Sequence, residues 1–349
     1  MRIGLVGYGF GGRYFHAPLL ASMPQATLVG VVTRSAQRRQ QLAAEQPGVA
    51  AFDNVGQMVE AGVDLIVIST PLEGRAAVIR EAIEYGVAVV SDKPFAFDAE
   101  QAGELIELAR QRGVLLTVYQ NRRWDSDFLT VRHLIDTGRL GTVTHFESRV
   151  ERYAPESLTD DQGGGMLRDL GTHLVDQALQ LFGPARRVYA ELFYSPEAPQ
   201  LDIGFFVALT HANGVVSHLA ASKLQSAGPQ RLRVTGTGGT YTVDGYDGQE
   251  ACLLAGQSPR TEGEHWGAEE HRHWGWFELG GERDKVRSEH GNWPHFYEQV
   301  QAAWRDGAPL PVTLDQVLLT VRTLDAARLS FETQRVVHLE ADGSAIKKE

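Results

Sequence analysis

Apolar residues in the first third of the chain come in short unbroken runs rather than in strict alternation. Runs at 3–6, 26–32, 64–69, 87–90 and 114–118 read as strands covered on both faces, because such a strand has no solvent side to carry polar residues. Mixed stretches at helical spacing lie between them. One follows residue 12 and runs through 20. Another spans 34–45 and is broken by Pro47-Gly48. A third spans 74–85 and ends at Gly86, and a fourth runs through 110 with Asp98 as its cap. Strands alternating with helices predict βαβ units, hence a parallel sheet with helices on both faces.

The pattern changes after Tyr119. A helix over 128–136 is closed by Gly138. A strand over 143–152, a glycine loop at 163–165 and a helix carrying Asp169 and His173 follow, stopping at Gly183-Pro184. Strands at 188–193, 203–211, 215–222, 231–236 and 240–243 then succeed one another without helices between them, which predicts an antiparallel or mixed sheet. Helices over 293–304 and 314–331 come next, and the tail from 341 is polar. The reading is an α/β chain of two domains. Residues 1–120 form an N-terminal domain with a parallel sheet, and 121–349 form a C-terminal α/β domain with a large open mixed or antiparallel sheet. A chain of 349 residues exceeds what one core usually holds.

Composition narrows the function classes. Hydrophobic content of 43% and charged content of 22% are those of an ordinary globular chain. A net charge of −11 leaves no basic footprint, so no nucleic-acid partner is expected. The single cysteine, Cys252, can form no internal disulfide, which fits a cytoplasmic setting. No apolar run has signal-peptide character or membrane-spanning length, so no membrane partner is expected either.

Four groups of residues carry candidate chemistry. Gly7-Tyr8-Gly9-Phe10-Gly11-Gly12 fits GxGxxG between a strand and a helix, the dinucleotide fingerprint of a Rossmann domain. Gly7 permits the tight turn, Gly9 lets a pyrophosphate approach the backbone, and Gly12 lets helix and strand pack closely. An acid at the end of the second strand would bind a ribose 2′-hydroxyl. This chain has Thr33-Arg34-Ser35 there, Arg38 and Arg39 a turn later, and no carboxylate before Glu45. Arg34 suits the 2′-phosphate of NADP, with NAD as the alternative cofactor and a solvated basic helix start as the plain reading. Lys93-Pro94 follows a strand and so falls at the carboxyl edge of the sheet, where open α/β folds bind ligands; Pro94 would set the turn, and a surface lysine is the rival reading. Asp169 and His173 are four residues apart, which stacks them on one helix face as an orienter and a base; a surface Asp–His contact is the rival there. Together these groups point to hydride transfer on an alcohol or ketone.

The chain resembles the glucose–fructose oxidoreductase / inositol dehydrogenase (Gfo/Idh/MocA) family over nearly its full length. The matching pieces are Gly7 to Gly12, Asp92-Lys93-Pro94, and Gly163-Gly164-Gly165 leading into Asp169, Gly171 and His173. Phe15-His16-Ala17-Pro18, Asp92-Lys93-Pro94-Phe95 and Asn121-Arg122-Arg123-Trp124-Asp125 are similar to the NADP-dependent scyllo-inositol dehydrogenase subgroup, in which aspartate stands where the family usually has glutamate before the lysine. The resemblance implies that Lys93, Asp169 and His173 form the catalytic set and that Lys93-Pro94 borders the nicotinamide. It implies a cyclic polyol or sugar as substrate, and a homodimer or homotetramer built through the C-terminal sheet. Ser69, Thr70, Pro71 and Asn121 complete the expected cofactor contacts. Arg123 and Tyr153 are expected at the substrate, with an Arg–carboxylate pair and buried packing as their respective rivals. Asp176 shares the face of Asp169 and His173, where a structural hydrogen bond is the favoured role. His16 is read as support for the first helix, and Trp293 and His295, in loops of the second domain, are read as stacking on or hydrogen-bonding a sugar, with buried packing as the default. His265, His271 and His273 lack a recurring ligand spacing, and no metal is expected. The rival functions are a non-catalytic dinucleotide- or sugar-binding regulator of the same fold, and a reductase of keto-glycosides or anhydro-sugars.

Overall fold

The apolar runs of the first third become six parallel strands: β1 (Arg2–Val6), β2 (Thr27–Val32), β3 (Ala50–Phe52), β4 (Leu65–Ile68), β5 (Ala88–Ser91) and β6 (Leu116–Val118). The computed structural model describes residues 1–160, 162–228 and 230–346. The strand order β3-β2-β1-β4-β5-β6 is that of a dinucleotide-binding sheet. All four side chains of β4 and of β5 are buried, as unbroken apolar runs require.

Three local features differ from the expectation. The stretch after Gly12 is a π-helix, Gly11–His16, followed by a helix Ala17–Ser22, not one continuous α-helix. Pro18 sits in the first turn of that second helix; it has no N–H to donate and crowds the carbonyl four residues back, so the hydrogen-bond register changes there. Strand β3 and the helix Val55–Glu60 went unread, because β3 has only three residues and none of them is buried. The helix expected over 34–45 begins at Ala36, since Ser35 is its cap and accepts from the Arg38 N–H at 3.4 Å.

The later strands are β7 (Val143–Glu151), β8 (Ala185–Tyr194), β9 (Asp202–His211), β10 (Val216–Ser222), β11 (Leu232–Gly236), β12 (Gly239–Val243), β13 (Gly275–Leu279), β14 (Glu282–Val286) and β15 (Val337–His338). They form one sheet in the order β14-β13-β12-β11-β7-β10-β9-β8-β15. The β7–β10 pair is parallel and the other neighbours are antiparallel. Strict alternation of buried and half-buried residues along β10 marks one covered face. The core on that face includes Phe146, Phe205, Val207 and Leu219, with Leu174, Val175 and Ala178 of the helix Gly171–Phe182 and Ala327 of the helix Leu314–Thr333.

The compact units do not follow chain order. Residues 1–121, 249–266 and 292–314 make the first, and 122–248, 267–291 and 315–349 make the second. A division at Gln120 is thus a division of the sequence, whereas the units interleave along it. Among the described residues no helix is long and apolar enough to cross a membrane.

Candidate active site

In the first unit the fingerprint glycines occupy the turn after β1. A side chain on Gly12 would meet the Gly7 carbonyl oxygen at 2.0 Å, so only glycine allows the approach. Gly9 is different. A Cβ there would find nothing nearer than the Arg38 guanidinium at 3.7 Å, which leaves an open backbone cradle of the kind a pyrophosphate needs. Phe10 is exposed and packs edge-on against Phe15 at 5.2 Å. Tyr8 is buried to 1% and its hydroxyl donates to Glu45 at 3.1 Å, so its side chain belongs to the core and leaves only its main chain to the cradle. Arg13 also bonds Glu45, and that hydrogen bond, with the one from Tyr8, holds the carboxyl below its ordinary range. The first carboxylate after β2 is therefore committed elsewhere.

The basic residues after β2 divide by role. Arg39 holds the loop, donating to the Thr33 carbonyl at 3.0 Å and pairing with Asp53 at 2.6 Å. Arg34 and Arg38 are exposed, and neither guanidinium forms an ion pair among the described residues. Of the two, Arg38 lies beside the cradle at Gly9.

Lys93 follows β5, joined to Pro94 by a cis peptide bond. Arg75 braces this segment. It is 5% exposed, donates to the Asp92 carbonyl at 2.8 Å and to the Pro94 carbonyl, and reaches back to the Thr70 carbonyl at 3.1 Å. It thereby ties the loop Ser69-Thr70-Pro71 after β4 to the loop after β5. Sequence reasoning missed Arg75. Its signal was a charge in register with Ile79 and Ile83, on the buried face of its helix. Asn121 is buried at the start of a 3-10 turn, Asn121–Trp124.

In the second unit Asp169 and His173 do not lie on one unbroken helix. Met166–Asp169 is a short helix, and Gly171–Phe182 begins after Leu170. The His173 N–H bonds the Leu170 carbonyl at 3.1 Å, a tighter turn than the expected one. Both segments keep helical dihedrals through Leu170, so the two residues remain about one turn apart. His173 is 4% exposed. The glycine loop closes on Asp169: Gly163 has φ +74°, and a Cβ there would sit 2.9 Å from the Asp169 Cβ. Asp202, itself buried, accepts from the Leu167 N–H at 2.6 Å and anchors the start of the short helix.

The remaining candidates separate cleanly. Arg123 and Asp176 form a buried bidentate pair at 2.7 and 2.6 Å, and Gln316 accepts from Arg123 at 2.9 Å. The pairing alternative for Arg123 is the one the fold realises, and Asp176 has the structural role expected of it. Tyr153 is 63% exposed, in a bridge to Leu224. Trp293 is buried and its N–H donates to Gln249 at 2.7 Å, whereas His295 pairs with Glu298 at the surface. His265 belongs to the first unit and His271 and His273 to the second. A cluster that sequence spacing did not single out, His145, Glu147 and His218, brings its donor atoms within 4.8 Å on β7 and β10. Its carboxylate is already neutralised by Arg233 and by Arg149 at 3.3 Å, so guanidinium groups fill the place of a cation.

Residues 1–120 match the model of the oxidoreductase family with an NAD-binding Rossmann fold, and 128–242 match the GFO/IDH/MocA C-terminal domain. The scyllo-inositol 2-dehydrogenase (NADP(+)) IolW of Bacillus subtilis is 30% identical, over 97% of this chain and 96% of its own length. The UDP-N-acetylglucosamine 3-dehydrogenase of Acidithiobacillus ferrooxidans is 31% identical, over 67% of this chain and 71% of its own. Among solved structures, an oxidoreductase from Bacillus cereus superposes with a TM-score of 0.88 at 25% identity, covering 97% of this chain and 99% of its own.

Proposed function

Because the chain belongs to the GFO/IDH/MocA oxidoreductase family, we propose that it catalyses hydride transfer between NADP(H) and a secondary alcohol or ketone of a cyclic polyol or sugar, scyllo-inositol being the leading substrate. The observation that carries the reading is the family match over both domains with Lys93, Asp169 and His173 all in place. When bound, the nicotinamide supplies the hydride acceptor or donor. His173 takes the proton of the reacting hydroxyl. Asp169 orients the imidazole and stabilises its charged form. Lys93 donates to the same oxygen and favours its alkoxide character. In the reverse direction His173 returns the proton to the ketone oxygen.

The guanidinium of Arg38 beside Gly9, the exposed Arg34 at the end of β2, and Glu45 held by Arg13 and Tyr8 support NADP over NAD. A dinucleotide role for 1–120, substrate binding by 121–349, self-association through the nine-stranded sheet as a homodimer or homotetramer, and a cytoplasmic setting belong to the same proposal.

The test is a turnover screen of scyllo-inositol, myo-inositol and common aldoses with each cofactor, followed at the nicotinamide absorbance. Turnover of a polyol with NADP is expected. Activity confined to small acyclic alcohols counts against the substrate class. In the same assay Arg34→Ala should weaken NADP use about ten- to a hundredfold and change NAD use little, since a charge-assisted hydrogen bond is worth about 1.5–3 kcal/mol. Equal losses with both cofactors remove Arg34 from the 2′-phosphate.

A further inference from the structure

Behind Lys93 the first unit holds a buried row of polar groups that the reaction above does not use. His16 is fully buried, with its Nε2 3.2 Å from Asp92 Oδ2, slightly off the line of a hydrogen bond. Its Nδ1 is bonded to the Tyr297 hydroxyl, from a segment nearly 300 residues further along the chain. The Tyr119 ring lies 4.6 Å from the His16 ring and stacks on Tyr297 at 5.4 Å. Ser69 donates to the same Asp92 oxygen at 2.8 Å. The other oxygen, Oδ1, accepts from the main-chain N–H of Lys93 at 2.8 Å.

The protonation states follow from the surroundings. Burial alone would raise the Asp92 pKa. The charge and hydrogen bonding of His16, then the charges of Arg75 and Lys93, more than offset this and hold the carboxyl well below its ordinary range. Asp92 is then an acceptor only, so the Nε2 facing it carries a proton. Burial, with Tyr119 and Asp92 adding to it, pushes Tyr297 far above the ordinary phenol range, so its O–H stays intact beside Nδ1. His16 thus bridges the Tyr297 hydroxyl and the Asp92 carboxylate.

We propose that His16 and Tyr297 are positioning residues for Lys93: they fix the Asp92 carboxylate, which in turn holds the Lys93 main chain and sets a negative charge beside its ammonium. The proposal rests on the reading of Lys93 as the donor to the reacting oxygen. A sub-ångström shift in a group that contacts the reacting atoms is enough to slow a reaction strongly.

The experiment uses the full chain and has two arms. In the first, ¹⁵N NMR of the His16 ring should show protonation at the Nε2 that faces Asp92, and Tyr297→Phe should shift the Nδ1 resonance. Protonation at Nδ1 alone overturns the proposal. In the second, His16→Ala should lower kcat about ten- to a hundredfold with the KM for cofactor unchanged, and His16→Gln, which restores an N–H toward Asp92, should recover part of it. Recovery by His16→Gln together with an unchanged KM is a pattern that general loss of packing would not produce. Wild-type kcat in His16→Ala overturns the proposal. If His16→Ala does not fold, Tyr297→Phe decides through the NMR arm. If the wild-type protein turns over no polyol, the proposed function fails while the NMR arm still tests the positioning.

Discussion

Replacing His173 by alanine is expected to lower the turnover number about a hundred- to ten-thousandfold, the usual contribution of a positioned general base, and to leave NADP affinity nearly intact. Affinity should survive because the residues read as holding NADP, Gly7 to Gly12 and Arg34, are untouched by the substitution. Asp169→Asn should also slow turnover, because the imidazole loses its orienting charge. Since the two residues act as one device, the double variant should cost far less than the product of the single losses. Steady-state kinetics with separate titration of NADP binding distinguishes the two effects. Near-normal turnover of His173→Ala across the pH range means that another group takes the proton, and Lys93 is then the first to examine.

The second large effect concerns stability. Arg123 and Asp176 are 5% and 2% exposed, and each satisfies the other bidentately. Arg123→Met leaves a buried carboxylate without its cation, with the Thr320 hydroxyl, 3.4 Å away, as its remaining hydrogen-bond donor among the described residues. The expected cost is about 3–5 kcal/mol. That corresponds to a fall of roughly 6–20 °C in the melting temperature of a unit this size, read by scanning calorimetry. Adding Asp176→Leu should restore much of the loss, because removing both charges also removes their desolvation penalty. An unchanged melting temperature in Arg123→Met shows that the pair does not hold the unit together.

What could be read in advance was what is local. The runs at 3–6, 64–69 and 87–90 correspond to β1, β4 and β5, because a strand buried on both faces announces itself by composition alone. Gly12 was legible for a related reason: its constraint comes from Gly7, five residues away. The strands that follow one another from 188 to 243 without helices between them correspond to β8 to β12, whereas β13, β14 and β15 were not named in advance. Strand β3 was not legible, having three residues and no buried face. Arg123 could be placed near a candidate site, but its partner lies 53 residues on, and two readings stayed open until the fold chose. His16 was read as helix support, because nothing near it in sequence signals a tyrosine 281 residues away. The break at Leu170 was hidden too, since Leu170 keeps helical dihedrals and Gly171 beside it reads equally well as a residue inside one continuous helix.

The interleaving of the two units bears on how the chain is made. The first unit takes its last segment from residues 292–314, and that segment supplies Tyr297 to His16 and the Val312 carbonyl that accepts from Thr117 at 2.7 Å, at the end of β6. During synthesis the parallel sheet emerges from the ribosome early, yet it lacks these partners until nearly the whole chain has been translated. The sheet therefore waits, with Thr117 and His16 unsatisfied, while the second unit's strands are produced. A fragment of residues 1–120 is accordingly expected to stay loosely packed, with little protection of β6 amides from hydrogen exchange, and adding residues 249–314 in trans should raise that protection. The dinucleotide fold here is assembled from segments far apart along the chain, and cutting at the apparent sequence boundary would separate it from its own interior.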